Sequence, residues 1–227
     1  MKNKSVIILV LSILSLNFFC SVSSDEFNFN ITELQITKNG NIIKGVNGGI
    51  VTSKNNEITI TADNFKYNKL TTLLEAEGNV KLVDKILNIV IESNEIFYLK
   101  NKEEIYTKGK SKVLSGVNVQ IDADQYFKYN KLTSLLEAKG NVKLDYKDKN
   151  INIYTDEITY LINKEKISTL GKTNIKIEDK YNIDGYNLTL LKNEMILSSD
   201  EKTIISGNDL NIYKPVSYTH LRAHETD

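Results

Sequence analysis

Proline, cysteine, tryptophan, histidine and arginine are close to absent from this chain. Its 227 residues include one Pro, one Cys, two His and no Trp. The only Arg (Arg222), the only Pro (Pro215) and both histidines (His220 and His224) fall after residue 214, and the only Cys is Cys20. Residues 25–214 therefore lack the commonest general base, the thiol nucleophile and the bidentate anion clamp. They also contain no pair of thiols for an internal disulfide. Basic and acidic residues balance at 29 each and interleave along the chain, so no basic patch points to nucleic acid. Gly48-Gly49 is not followed by a helix signal, and Asp145, Asp148, Asp179 and Asp184 lack the spacing of a calcium loop. The sequence thus predicts no enzyme, no metal and no cofactor.

What the chain does have is a period. Leu74-Glu75-Ala76-Glu77-Gly78-Asn79-Val80-Lys81-Leu82 returns as Leu136-Glu137-Ala138-Lys139-Gly140-Asn141-Val142-Lys143-Leu144. Weaker copies lie between and beyond, placing glycines at Gly78, Gly109, Gly140 and Gly171 and tyrosines at Tyr67, Tyr98, Tyr129 and Tyr160. A fixed period of this size marks an array of one structural unit. Within each copy, large and small residues alternate with charged or amide residues. Leu74, Ile105, Leu136 and Ile167 precede the glycine by four; Leu82, Val113, Leu144 and Ile175 follow it by four. Ala76, Thr107, Ala138 and Thr169 precede it by two; Val80, Ser111, Val142 and Thr173 follow it by two. This is the pattern of half-buried strands with a notch at the glycine, where the strand bends. Stacked copies predict a sheet folded about a line of glycines. Its inner faces form either an apolar groove or a core in which facing side chains fill the notch.

Polar turns are expected at Asn68-Lys69, Asn101-Lys102, Asn130-Lys131 and Asn163-Lys164, and a hairpin at Asn39-Gly40. Val46, Gly48, Ile50 and Thr52 read as a faded first copy of the notch strand, Ile183 to Ser199 as a degraded fifth unit, and Ile204 to Tyr213 as a last strand. The third unit carries one extra residue between Asp124 and Phe127, a bulge. Asp63 and Asp124 occupy matching positions. A carboxylate pair can serve acid-base chemistry, but the repetition points to a turn or bulge role. The four tyrosines are expected at strand ends, packing the rim with their hydroxyls in water; lining the mouth of a groove is the alternative.

The chain ends carry other signals. Lys2 and Lys4, the apolar run Val6–Leu16 and the small residues Ser21 to Ser24 have the pattern of a secretory signal peptide, residues 1–24, cleaved after Ser23 or Ser24. Phe18 and Phe19 do not suit lipidation of Cys20. Pro215–Asp227 departs abruptly in composition and reads like translated sequencing adapter, although His220 and His224 have the spacing of a metal pair. The expectation is one domain over residues 25–214, in a protein that continues past Lys214.

The segment Ile60-Thr61-Ala62-Asp63-Asn64-Phe65-Lys66-Tyr67 with Leu74 to Val80, and its second copy Ala123-Asp124 to Val142, resembles the OstA-like periplasmic domain family of lipopolysaccharide transport. That family includes the soluble bridge LptA and the N-terminal domain of the outer-membrane translocon LptD. The resemblance covers residues 30–200. It implies an all-β fold of repeated antiparallel strands, a β-jellyroll or β-taco, whose apolar groove holds acyl chains. Carried over residue by residue, the lining is Leu74, Ala76, Val80, Leu82, Ile105, Val113, Leu136, Ala138, Val142, Leu144, Ile167 and Ile175. The implied partners are lipopolysaccharide, other jellyrolls joined by edge-strand pairing, and, for an LptD-type protein, an outer-membrane barrel with its lipoprotein plug. Room for a following barrel favours the LptD type over an LptA-like bridge, although the disulfides that tie this domain to some barrels have no cysteines here. Outside this family stand a secreted β-solenoid or adhesin with a filled core, and a β-helix enzyme acting on polysaccharide, for which the repeats offer no clustered carboxylates.

Overall fold

The computed structural model describes residues 20–24, 26–178, 180–199 and 201–207. Most of the expected leader, the expected tail 215–227 and the far part of the expected last strand lie outside the described residues. Within them the chain forms nineteen strands, all paired antiparallel, with three single 3-10 turns and no α-helix. The first seven are β1 (Cys20–Ser23), β2 (Phe27–Thr37), β3 (Ile42–Ser53), β4 (Ile58–Ala62), β5 (Asn64–Asn68), β6 (Leu73–Asp84) and β7 (Ile89–Leu99). Then follow β8 (Glu104–Thr107), β9 (Ser111–Ser115), β10 (Val119–Ala123), β11 (Tyr126–Asn130), β12 (Leu135–Tyr146) and β13 (Ile151–Leu161). The last six are β14 (Lys166–Leu170), β15 (Lys172–Ile177), β16 (Tyr181–Tyr186), β17 (Leu188–Leu191), β18 (Ile196–Ser199) and β19 (Ile204–Gly207).

Unbroken strands of eleven or twelve residues stand beside strands interrupted at mid-length. β6 pairs through its C-terminal half with β4, Leu82 opposite Ile60, and through its N-terminal half with β5, Leu74 opposite Tyr67. The same division recurs along the sheet. One wall contains β4, β9, β10, β15, β16 and β19 with the matching halves of the long strands. The other contains β5, β8, β11, β14, β17 and β18. Between them runs a line of left-handed residues: Asn47-Gly48, Gly78-Asn79, Gly109, Gly140-Asn141 and Gly171, with φ from 42° to 89°. The sheet folds along this line, so strands that share no ladder face each other. Phe27, at the first-wall end of β2, meets the second-wall rings of Tyr67 and Tyr98 edge-on, at 5.1 and 5.6 Å. The result is an all-β, jellyroll-like fold.

Alternation decides what lies inside. β4 and β10 share the burial order in-out-in-out-in, which puts Ile58, Ile60, Val119 and Ile121 in one continuous apolar cluster. Each such side chain, removed from water, contributes about 1.5–3 kcal/mol. The Asn39-Gly40 hairpin is present: Lys38, Asn39 and Gly40 all have positive φ, and Thr37 pairs with Ile42. The faded first copy is shifted by one residue from expectation. Asn47, not Gly48, continues the spacing of the notch glycines. Ile43, Gly45 and Val51 therefore face inward, while Ile50 faces out and is 41% exposed. A left-handed Asn at the notch, where the later copies have Gly, hides the true phase.

Candidate functional site: the interior and its mouth

The fold line is built in two ways. At the strong copies a Gly-Asn pair turns the strand outward, and the same geometry holds it in both. Asp63 donates its backbone N–H to the Gly78 carbonyl at 3.0 Å, and its carboxylate accepts from Asn79 Nδ2 at 2.9 Å. Asp124 does the same with Gly140, at 2.8 Å, and with Asn141, at 3.1 Å. The two carboxylates thus fasten bulges, and the register of β6 on β7 and of β12 on β13 shifts at these points. Gln125, the extra residue of the third unit, fills the gap between β10 and β11 and bonds the Lys139 carbonyl at 3.0 Å. At the weaker copies small hydroxyls replace this device. Ser111 donates to Thr107 at 2.9 Å, and Thr107 accepts the Phe127 N–H at 2.9 Å. Thr173 donates to Thr169 at 2.8 Å, and Thr169 accepts the Leu188 N–H at 2.9 Å. The Thr and Ser that replace Ala and Val in these copies satisfy backbone donors freed by the strand breaks, as buried polar groups must.

Every one of the twelve expected lining residues points between the walls. None exceeds 3% exposure, from Leu74, Leu82, Leu136 and Leu144 at 0% to Ala76 at 3%. Water scarcely touches any of them, so facing side chains fill the space over these positions in this structure. A surface depression of about 420 Å3 lies elsewhere, at the β1 end, lined by residues including Val22, Phe29 and Ile50.

Opposite the fold line, the rims of the two walls meet at a mouth, and here the tyrosines sit. They do not offer hydroxyls to water: Tyr67, Tyr98, Tyr129 and Tyr160 are all at most 2% exposed. Tyr129 Oη donates to Asp84 Oδ2 at 2.8 Å, across the mouth. Tyr98 and Tyr160 reach the carboxylates of Glu103 and Glu165, whose own left-handed backbone closes a turn over each ring. Asp84 is fully buried. Its Oδ1 accepts the N–H groups of Ile86 and Leu87 at 2.9 and 3.2 Å. Lys131 bridges Glu57 at 2.8 Å and stands 3.8 Å from Asp84. Farther along, Lys192 pairs with Glu165 and lies 5.1 Å over the Tyr146 ring. Spacing alone carries the first-wall half of this row. Ser53, Asp84, Ser115 and Tyr146 keep the tyrosines' period, but as three residue types at four positions they form no visible motif.

Burial pushes the Tyr98 and Tyr129 phenols well above the ordinary tyrosine range; the carboxylates of Glu103 and Asp84 add to it. Burial raises Tyr160 as well, against the opposing charge of Lys192. The folded state thus holds these protons more tightly than the unfolded chain, which ionises near 10. Their contribution is complete below pH 10 and is lost as pH rises above it, at about 1.4 kcal/mol per pH unit for each phenol. Urea midpoints should fall steeply above pH 10, and the Tyr98→Phe, Tyr129→Phe double variant should fall less steeply. Identical pH profiles for the two proteins would refute this.

Among the described residues no three of His, Cys, Asp and Glu gather as a metal site. No protein-family model matches the chain, and no curated protein matches it.

Proposed function

We propose that this chain is a periplasmic carrier of a lipid with several acyl chains, lipopolysaccharide on the resemblance of its repeats, and forms the N-terminal part of an LptD-type outer-membrane assembly protein. The observation that carries this reading is the inner face. It is largely apolar from β2 to β18, interrupted by hydroxyls beside the fold line and by Asp84 at the mouth, and belongs to a single sheet folded on one line, so the walls can part without breaking a strand ladder. Acyl chains laid between them gain about 0.8 kcal/mol per buried CH2. Such a ligand enters by separating side chains that now touch, and the filled interior is the observation that favours the second reading, a secreted structural array without lipid.

The leader supports export. Its last residues, Cys20 to Ser23, form β1 along β2, with Cys20 opposite Ile31 and Ser23 opposite Asn28. Cleavage after Ser23 or Ser24 removes that strand and leaves the β2 edge free to take a strand from another jellyroll of a transport row. A barrel with its lipoprotein plug is the partner proposed at the other end.

A photo-crosslinking residue at Leu136, which is fully buried, should capture lipopolysaccharide in cells at least ten times more often than one at Glu137, which faces out. Equal capture from the two positions would remove the carrier reading.

A further inference from the structure

The two long margins of the folded sheet are held by different physics. The fold line is continuous backbone, turned by left-handed residues and fastened beside it by side-chain bonds, among them Ser111 to Thr107 and Thr173 to Thr169 from one wall to the other. Among the described residues the mouth is joined by side chains alone. At its β2 end the seam is aromatic, Phe27 against Tyr67 and Tyr98. From Asp84 to Tyr146 it is polar: Tyr129 to Asp84, Lys131 to Glu57, and Lys192 over Tyr146. These contacts join residues 45 and 74 positions apart that share no strand ladder. A polar seam differs from an apolar one in what separation costs. Each group recovers hydrogen bonds to water when the walls part, so the net loss is small beside that of exposing the aromatic end. Hinges are a few residues that absorb a backbone change while packed units move as bodies.

We infer that Tyr129, Asp84, Lys131 and Glu57 form a clasp, and that the mouth opens reversibly at this stretch, with the left-handed line as hinge, to give lateral access to the interior. The aromatic seam around Phe27 stays shut and keeps the walls in register. What passes through the opening rests on the carrier reading above; the opening itself does not.

The test places a thiol inside. Ala138→Cys, in a Cys20→Ser background, puts a small probe on the inner face beside the fold line, at a position 2% exposed in the native protein; Ala76→Cys is the second probe, should the first not fold. The rate of reaction with 5,5′-dithiobis(2-nitrobenzoic acid) is followed in buffer and in urea below the unfolding transition. Opening at a hinge bares the inner face but keeps every strand ladder, so it exposes less surface than unfolding and the rate should rise with urea more gently than global unfolding does. Tyr129→Phe combined with Glu57→Gln should raise the rate in buffer about tenfold beyond what its loss of global stability accounts for. A rate that tracks global unfolding in both proteins, or an increase no larger than the stability loss, overturns the clasp. Gentle urea dependence with no lipopolysaccharide captured from Leu136 keeps the clasp and removes the carrier. Capture from Leu136 with thiol reaction only through global unfolding does the reverse.

Discussion

Asp84→Ala should destabilise the protein by about 3–5 kcal/mol, the range for removing one partner from a buried charged network. Four groups depend on this carboxylate. The amides of Ile86 and Leu87 lose their acceptor, so the turn after β6 loses its fastening. The Tyr129 hydroxyl is left buried without its partner, and Lys131 keeps only Glu57. An unmatched buried polar group costs about 1–3 kcal/mol on its own. Asp84→Asn retains an acceptor for the turn and a group beside Tyr129, so it should lose markedly less. Urea unfolding of the three proteins at pH 7 measures this. A loss below 1 kcal/mol for the alanine variant would mean that the network is incidental to stability.

The second large effect lies on the fold line. Gly78 has φ +80°, and a Cβ there falls 2.4 Å from Asp63 Oδ2. Gly78→Val forces a β-branched residue into the left-handed region and displaces the carboxylate that fastens Asn79, together about 3–4 kcal/mol. Gly109 supplies the internal comparison. Its φ is +73°, but no atom lies within 4 Å of its Cβ position. Gly109→Ala should therefore cost only the left-handed term, about 1–2 kcal/mol. Equal losses at Gly78 and Gly109 would show that the Asp63 contact contributes nothing.

Alternation and the notch glycines made the strands, their inward faces and the fold line legible in the sequence, because a period of two fixes the side on which each residue lies. They did not make legible the distance between the walls. Leu74 and Leu136 point inward whether the space is open or filled, and only the packing of facing side chains decides it. The tyrosine hydroxyls were expected in water because their carboxylate partners come from elsewhere. Glu103 and Glu165 fold back through left-handed turn residues, and Asp84 lies on the opposite wall. The mouth was hidden for a related reason: it repeats in position but not in chemistry. At the notch the opposite holds: Asp63 and Asp124 repeat in both, and that repetition points to a turn or bulge role.

In the described sheet each strand from β2 to β18 finds its ladder partners among its neighbours along the chain. A polypeptide made from its N-terminus can therefore lay down each new strand on one already in place. Pairing between near neighbours along the chain favours fast folding and leaves few strand edges waiting for a distant partner. Pairs such as Glu57 with Lys131 are the exception, since neither wall can offer them until both exist. The margin that is fastened last in assembly is thus the same margin that is joined by side chains alone.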